Sequence, residues 1–157
     1  MNGYSPFERG PHPVGTRQFL WTDRSRNCTM PVDIWYPAAS AHDGEDFDPE
    51  KMSSFNFLFG PSKNTQNAVM NAKARSGTFP LVVFSHGYGG ERRQSTFFYT
   101  HLASHGYVIA AMDHVGNTAI ELLTGQAAGD AESINRFMQS RPVDASFVID
   151  QMLAGAS

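Results

Sequence analysis

Residues 79–90, Phe79-Pro80-Leu81-Val82-Val83-Phe84-Ser85-His86-Gly87-Tyr88-Gly89-Gly90, decide how the chain is read. Four apolar residues in succession, 81–84, suit a strand buried on both faces, the habit of a parallel sheet. A glycine-rich turn follows, and a helical pattern sets in from about Gln94. Strand, glycine turn and helix together aim backbone N–H groups at one point above a sheet. Two chemistries use that geometry: cradling a phosphate, or stabilising the oxyanion of acyl transfer. A phosphate loop wants a Lys followed by Ser or Thr after its last glycine, and a dinucleotide loop wants G-x-G-x-x-G. Here Glu91 follows Gly90, and its charge repels phosphate. The plainest alternative is a tight turn whose glycines serve only to reach positive φ.

The rest of the composition narrows the class. A chain of 157 residues suits one domain with a real core. With 41% hydrophobic and 17% charged residues it reads as an ordinary globular protein. A net charge of -3 and a pI near 6.0 give no footprint for nucleic acid. The single cysteine, Cys28, excludes an internal disulfide, so redox chemistry does not reveal the compartment. No apolar stretch is long enough to span a bilayer, and the N-terminus lacks the pattern of a signal peptide. The expectation is a cytoplasmic protein, or a secreted one if a leader has been removed.

Upstream of the central stretch, residues 1–15 carry too many Gly and Pro for a regular element to be expected. Residues 16–21 and 28–36 read as an antiparallel hairpin at the edge of a larger sheet. Alternation puts Met30, Val32, Ile34 and Tyr36 on one side and Thr29, Asp33 and Trp35 on the other. Pro31 cannot donate to a ladder, so a bulge or an unpaired side is expected there. Asp43, Glu45, Asp46, Asp48 and Glu50 form an acidic run without EF-hand spacing, expected to be a solvated loop. The aromatic cluster at residues 55–59 is either a satellite core or a wall over the site. A short helix is expected over residues 67–75.

Downstream, Phe97, Phe98, Leu102 and Ala103 fall at helical spacing, and Gly106 is placed to end that helix. Residues 107–112 are the next buried strand. Strand 80–85, helix 94–105 and strand 107–112 thus form a βαβ unit. Its two strand ends carry the turns 86–90 and 113–118, where ligands of such sheets gather. A helical turn is expected over 119–123 and a loop over 125–130. A helix is then expected up to Gln139. Arg141-Pro142 restarts the chain as a new helix with Pro142 in its first position. Ala145, Val148, Ile149, Met152 and Leu153 line one face of that last helix.

Five phrases occur in order: Tyr4-x-Pro6-Phe7-x-Arg9-Gly10-Pro11, residues 31–38, residues 79–87, Asp113-His114-x-Gly116-Asn117-Thr118, and Arg141-Pro142-x-Asp144. Together they resemble the α/β-hydrolases similar to platelet-activating-factor acetylhydrolase and the predicted dienelactone hydrolases. The similarity runs from about Tyr4 to Leu153. It implies an α/β fold: a partial α/β-hydrolase with an N-terminal hairpin and a parallel βαβ sheet flanked by helices. In that family a strand and a G-x-S-x-G nucleophile elbow come next, followed by the Asp and His of the triad. None is present in residues 1–157. The resemblance therefore implies a single, incomplete domain, the N-terminal half of a serine hydrolase. Its partners would be a small-molecule ester and the missing C-terminal half. No cofactor and no metal are implied, and no nucleic acid or membrane span.

By the same resemblance, Tyr88 supplies an oxyanion donor through its backbone N–H, and Gly87 shapes the turn that presents it, by positive φ if the turn needs it. Tyr88, His86 and Gly89 are the residues expected beside substrate. The Tyr88 ring either lines the pocket or merely packs. His86, between strand and turn, is expected to be a structural hydrogen bonder rather than a base. His101, His105 and His114 invite a metal reading, and His101 and His105 stand at i, i+4 as two ligands would, but without the glutamate of H-E-x-x-H, which favours an exposed helix face. Ser85 has no elbow after it and is not expected to be a nucleophile. Asp113 and Asn117 are expected to hold their turn through side-chain bonds to backbone. Two rivals remain: a non-catalytic chain binding an apolar ligand at Tyr88, and a nucleotide-binding βαβ protein using residues 87–90.

Overall fold

The computed structural model describes residues 7–56, 63–127 and 130–155. Six strands form one mixed sheet: β1 (Val14–Asp23), β2 (Cys28–Pro37), β3 (Met52–Phe55), β4 (Asn64–Met70), β5 (Leu81–Ser85) and β6 (Val108–Met112). Their spatial order is β3-β4-β1-β2-β6-β5. β5 and β6 run parallel in unbroken register from Leu81↔Val108 to Ser85↔Met112. The helix between them, α1 (Thr96–Ser104), ends at Gly106, whose φ of 95° suits glycine. Two more helices follow, α2 (Ala119–Leu123) and α3 (Ala131–Ala154).

Alternation along the strands divides the core between two faces. Trp35, Tyr99, Ala103, Ile109 and Ala111 pack on the α1 side, with Val82 and Phe84 against them. Met30, Val32, Ile34, Tyr36, Met112 and Val148 pack on the α3 side, with Leu81 and Val83. β5 thus faces core on both sides, and the same alternation turns Ser85 toward α3. As the terminal strand it is only half-buried. α3 leaves part of its face uncovered, where Phe19, Trp21, Tyr36, Phe79 and Met152 line a hollow of about 720 Å³.

Several sequence expectations are corrected. Residues 67–75 do not form a helix: Asn64–Met70 is strand β4, antiparallel to β3 and parallel to β1 through Gly15↔Val69 and Thr16↔Met70. Its buried Gln66 and Ala68 alternate with exposed neighbours, and the Gln66 carboxamide takes Trp35 Nε1–H at 2.7 Å and donates to Ser53 Oγ at 3.1 Å. Polar side chains that satisfy each other indoors hide a strand from a hydrophobicity pattern. The β1–β2 hairpin is consequently inside the sheet, not at its edge.

The acidic run is not wholly solvated either. Asp46 is buried, accepts Val14 N–H at 2.8 Å and pairs with Arg9. Phe55 is buried, which favours the core reading there; residues 57–59 lie outside the described residues. No bulge forms at Pro31, whose register against Leu20 is continuous. Its carbonyl faces β6 and accepts Asp113 N–H at 3.0 Å, so its missing N–H falls just past the last paired residue, Met112.

Nor does the chain restart at Pro142. α3 is one helix of 24 residues with Pro142 inside it and exposed. The proline forfeits its hydrogen bond to the carbonyl four residues back. Both halves of the helix are anchored regardless: Asp130 caps the first through Ser133 N–H, while Arg141 and Asp144 are tied to the sheet's loops.

Candidate active site

The turns after β5 and β6 meet at the carboxyl end of the parallel pair, joined by a bridge between Gly90 and Thr118. His86 is fully buried at their junction. Its Nε2 accepts the backbone N–H of His114 at 3.0 Å, so the ring proton sits on Nδ1 and is donated to the Gly87 carbonyl at 2.7 Å. Burial above all pushes the His86 pKa down, which keeps the ring neutral and in that tautomer. His86 thus makes two structural hydrogen bonds, and its ring has no exposed surface.

The Gly87 carbonyl also accepts Gly90 N–H at 3.1 Å, and Gly89 N–H reaches the Asn117 carbonyl at 3.2 Å. The N–H groups of Gly87 and Tyr88 have no acceptor among the described residues. Positive φ in this turn belongs to Gly89, at 64°, and not to Gly87. A Cβ built on Gly87 meets nothing within 4 Å. What Gly87 contributes is open space beside the free N–H groups rather than a left-handed backbone. The Tyr88 side chain is 51% exposed, so its ring packs little.

Beyond the turn the chain is pinned by charge. Arg92 N–H donates to Asp113 Oδ1 at 2.7 Å, and its guanidinium bridges Asp113 and Asp33. Arg93 pairs with the other oxygen of the buried Asp33. Asp113 therefore holds the neighbouring loop rather than its own turn. A cleft of about 310 Å³ lies alongside, lined by Asn56, Glu91, Arg92, Asp113, Thr118 and Ile120. Burial, and then Asp113, push the Glu91 carboxyl up.

α3 supplies what the sequence reading missed. Asp144 accepts from His114 Nδ1 at 2.7 Å, and His114 Nε2 lies 2.7 Å from Ser85 Oγ. The other Asp144 oxygen pairs with Arg26 at 2.6 Å. Burial works to raise the Asp144 pKa, but the hydrogen bonds from His114 and Arg26 outweigh it and hold it below the usual carboxylate range. The chain of Ser, His and Asp has triad distances, yet His114 is 1% exposed. A catalytic imidazole must hand its proton to a leaving group, and this one is closed to any. We read it as a buried tie between β5, β6 and α3.

Arg141 completes the frame with bonds to the His86 carbonyl and Asn117 Oδ1. A usable signal was present: Asp144 stands four residues before Val148 on the buried stripe of α3, and a charge on such a stripe demands partners. His101 and His105 stack edge-on with centroids 4.7 Å apart, and His105 Nε2 lies 2.9 Å from the Glu8 carbonyl. Among the described residues, no group of three or more His, Cys, Asp or Glu is placed to hold a metal ion. No described helix is long and apolar enough to cross a membrane.

Comparison with known proteins agrees with this architecture. The chain is 28% identical to the platelet-activating factor acetylhydrolase of Cavia porcellus over 148 residues, which cover 83% of it and 33% of that enzyme. It is 38% identical to the Canis lupus familiaris enzyme of the same name over 98 residues, covering 62% of this chain and 21% of that one. It thus spans about a third or less of the length of these relatives. A ferulic acid esterase from Streptomyces cinnamoneus superposes with a TM-score of 0.54 at 27% identity, over 73% of this chain and 36% of the esterase. The mixed sheet flanked by helices is accordingly a partial α/β-hydrolase fold. The family described as platelet-activating factor acetylhydrolase, isoform II, matches residues 51–148, more than half of the sequence, and the chain belongs to it.

Proposed function

We propose that this chain provides the oxyanion-hole loop of a serine hydrolase that cleaves small carboxylic esters through an acyl-enzyme. The nucleophile, acid and base would lie outside these 157 residues, as would the second half of the domain. The observation that carries this reading is the pair of N–H groups at Gly87 and Tyr88, at the carboxyl end of β5, that find no acceptor among the described residues. Donors of this kind, aimed where charge develops, are worth about 3–4 kcal/mol each in the transition state. Relatives named as an acetylhydrolase and a ferulic acid esterase support an ester as the substrate class. The open edge of β5 is where a following strand of the same domain would add.

The test uses the ¹⁵N-labelled chain and methylphosphonate, a tetrahedral anion that mimics the charge of the acyl-transfer intermediate. A saturable downfield shift of the Tyr88 amide is expected, with the amides of β1 unmoved. A Tyr88 amide indifferent to the anion overturns the reading.

A further inference from the structure

Arg141 spans the two loops at the mouth of the sheet. One amino group of its guanidinium donates to the His86 carbonyl at 2.7 Å and the other to Asn117 Oδ1 at 2.5 Å. Asn117 is fully buried, and its own carbonyl takes the Gly89 N–H. Arg141 therefore grips the 86–90 turn twice, directly at His86 and through Asn117 at Gly89.

The consequence follows from peptide geometry. A trans peptide is planar, with its C=O and N–H on opposite sides, and none of the described peptides is cis. Because the His86 carbonyl is drawn to Arg141, the Gly87 N–H of the same plane is directed away from it. Because the Gly87 carbonyl is drawn to His86 Nδ1 and to Gly90 N–H, the Tyr88 N–H is directed away from those. Two successive planes are thus set by two different residues, and both leave their N–H groups free.

We propose that Arg141 is a positioning residue of this loop, aiming the Gly87 N–H outward as a second anion donor beside Tyr88. This rests on the oxyanion reading above. Arg141 itself touches no substrate and acts through His86 and Asn117. Its planar fork is what the role needs, since lysine offers a point charge that cannot hold two acceptors in fixed relation.

The experiment compares the full chain with Arg141→Lys and Arg141→Met by amide exchange and ¹⁵N relaxation. In Arg141→Met, exchange at Gly89 should quicken by about tenfold or more, as hydrogen exchange reads local opening. The Gly87 and Tyr88 amides should gain motion, and their methylphosphonate response should weaken together. Arg141→Lys should fall between, and it keeps the test valid if the Met variant does not fold; β2 and β6 amides should stay protected in any folded variant. Loop amides unchanged in folded Arg141→Lys and Arg141→Met overturn the proposal. A wild-type chain that ignores methylphosphonate but loosens on Arg141 substitution sinks the oxyanion reading and the donor role together, and leaves Arg141 as a structural clamp only. A Tyr88 amide that responds while the Gly87 amide does not overturns the second-donor assignment alone.

Discussion

The backbone N–H of His114 donates to Nε2 of His86 at 3.0 Å, and this one bond settles the His86 tautomer. Protonating Nε2 would set two donors against each other in a fully buried place. Burial lowers the His86 pKa in the fold below its ordinary 6.5. The unfolded chain then binds the proton first, so stability is complete above pH 6.5 and is lost as pH falls through the folded value. Urea midpoints should drop between about pH 7.5 and about pH 5.5, and drop less in His86→Asn. His12 is shifted in the same direction by burial, so the difference between the two proteins is the informative quantity. Equal pH dependence in both would remove His86 as the cause.

Gly89 and Gly87 should answer differently to a methyl group. Gly89→Ala meets a φ of 64° and Leu122 Cδ1 at 3.1 Å, and should cost about 1–2 kcal/mol. Gly87→Ala meets open space without positive φ and should stay within about 0.5 kcal/mol. Chemical denaturation of the two variants decides it. A reversed order would mean that the turn has another conformation in solution.

The Ser85–His114–Asp144 chain should hold the fold together without turning over esters. Fluorophosphonate should leave Ser85 unlabelled, and p-nitrophenyl acetate should be hydrolysed no faster than in a blank. Asp144→Asn should cost about 2 kcal/mol, because it weakens the charged hydrogen bonds of a buried carboxylate to His114 and the partly exposed Arg26, and Ser85→Ala about 1 kcal/mol. Labelling of Ser85 that disappears in His114→Ala would make this chain a catalytic triad after all.

The edge strand invites association. β5 presents Leu81, Val82, Val83 and Phe84 with neither a charge nor a proline in the run to blunt it. Light scattering should show mass rising with protein concentration. A constant monomer mass up to the solubility limit would refute this.

Much of the architecture was legible because it is local. Successive apolar residues at 81–84, the alternation at 30–36, and a glycine placed at 106 each carry their own instruction. The parallel pairing of β5 with β6 was legible in the strand–helix–strand pattern of residues 80–112. Illegible were β4, where Gln66 and Ser53 replace apolar contacts by hydrogen bonds to each other and to Trp35, and the unbroken α3, where Pro142 reads locally as a start. Local propensity misled at both places because tertiary partners outweighed it.

By itself the sequence determined that an apolar strand runs into His-Gly-Tyr-Gly-Gly, and hence that backbone donors gather above a parallel pair. That much depends only on neighbours along the chain. Which donors stay free was decided by the tertiary structure alone. His114 lies 28 residues from His86, and Arg141 lies 55 residues from the carbonyl it holds. A peptide plane is aimed by whatever grips its carbonyl, and here the grip comes from a distant turn and a distant helix. No spacing rule along the chain can report such partners, because folding, and not sequence adjacency, brings them within hydrogen-bond reach.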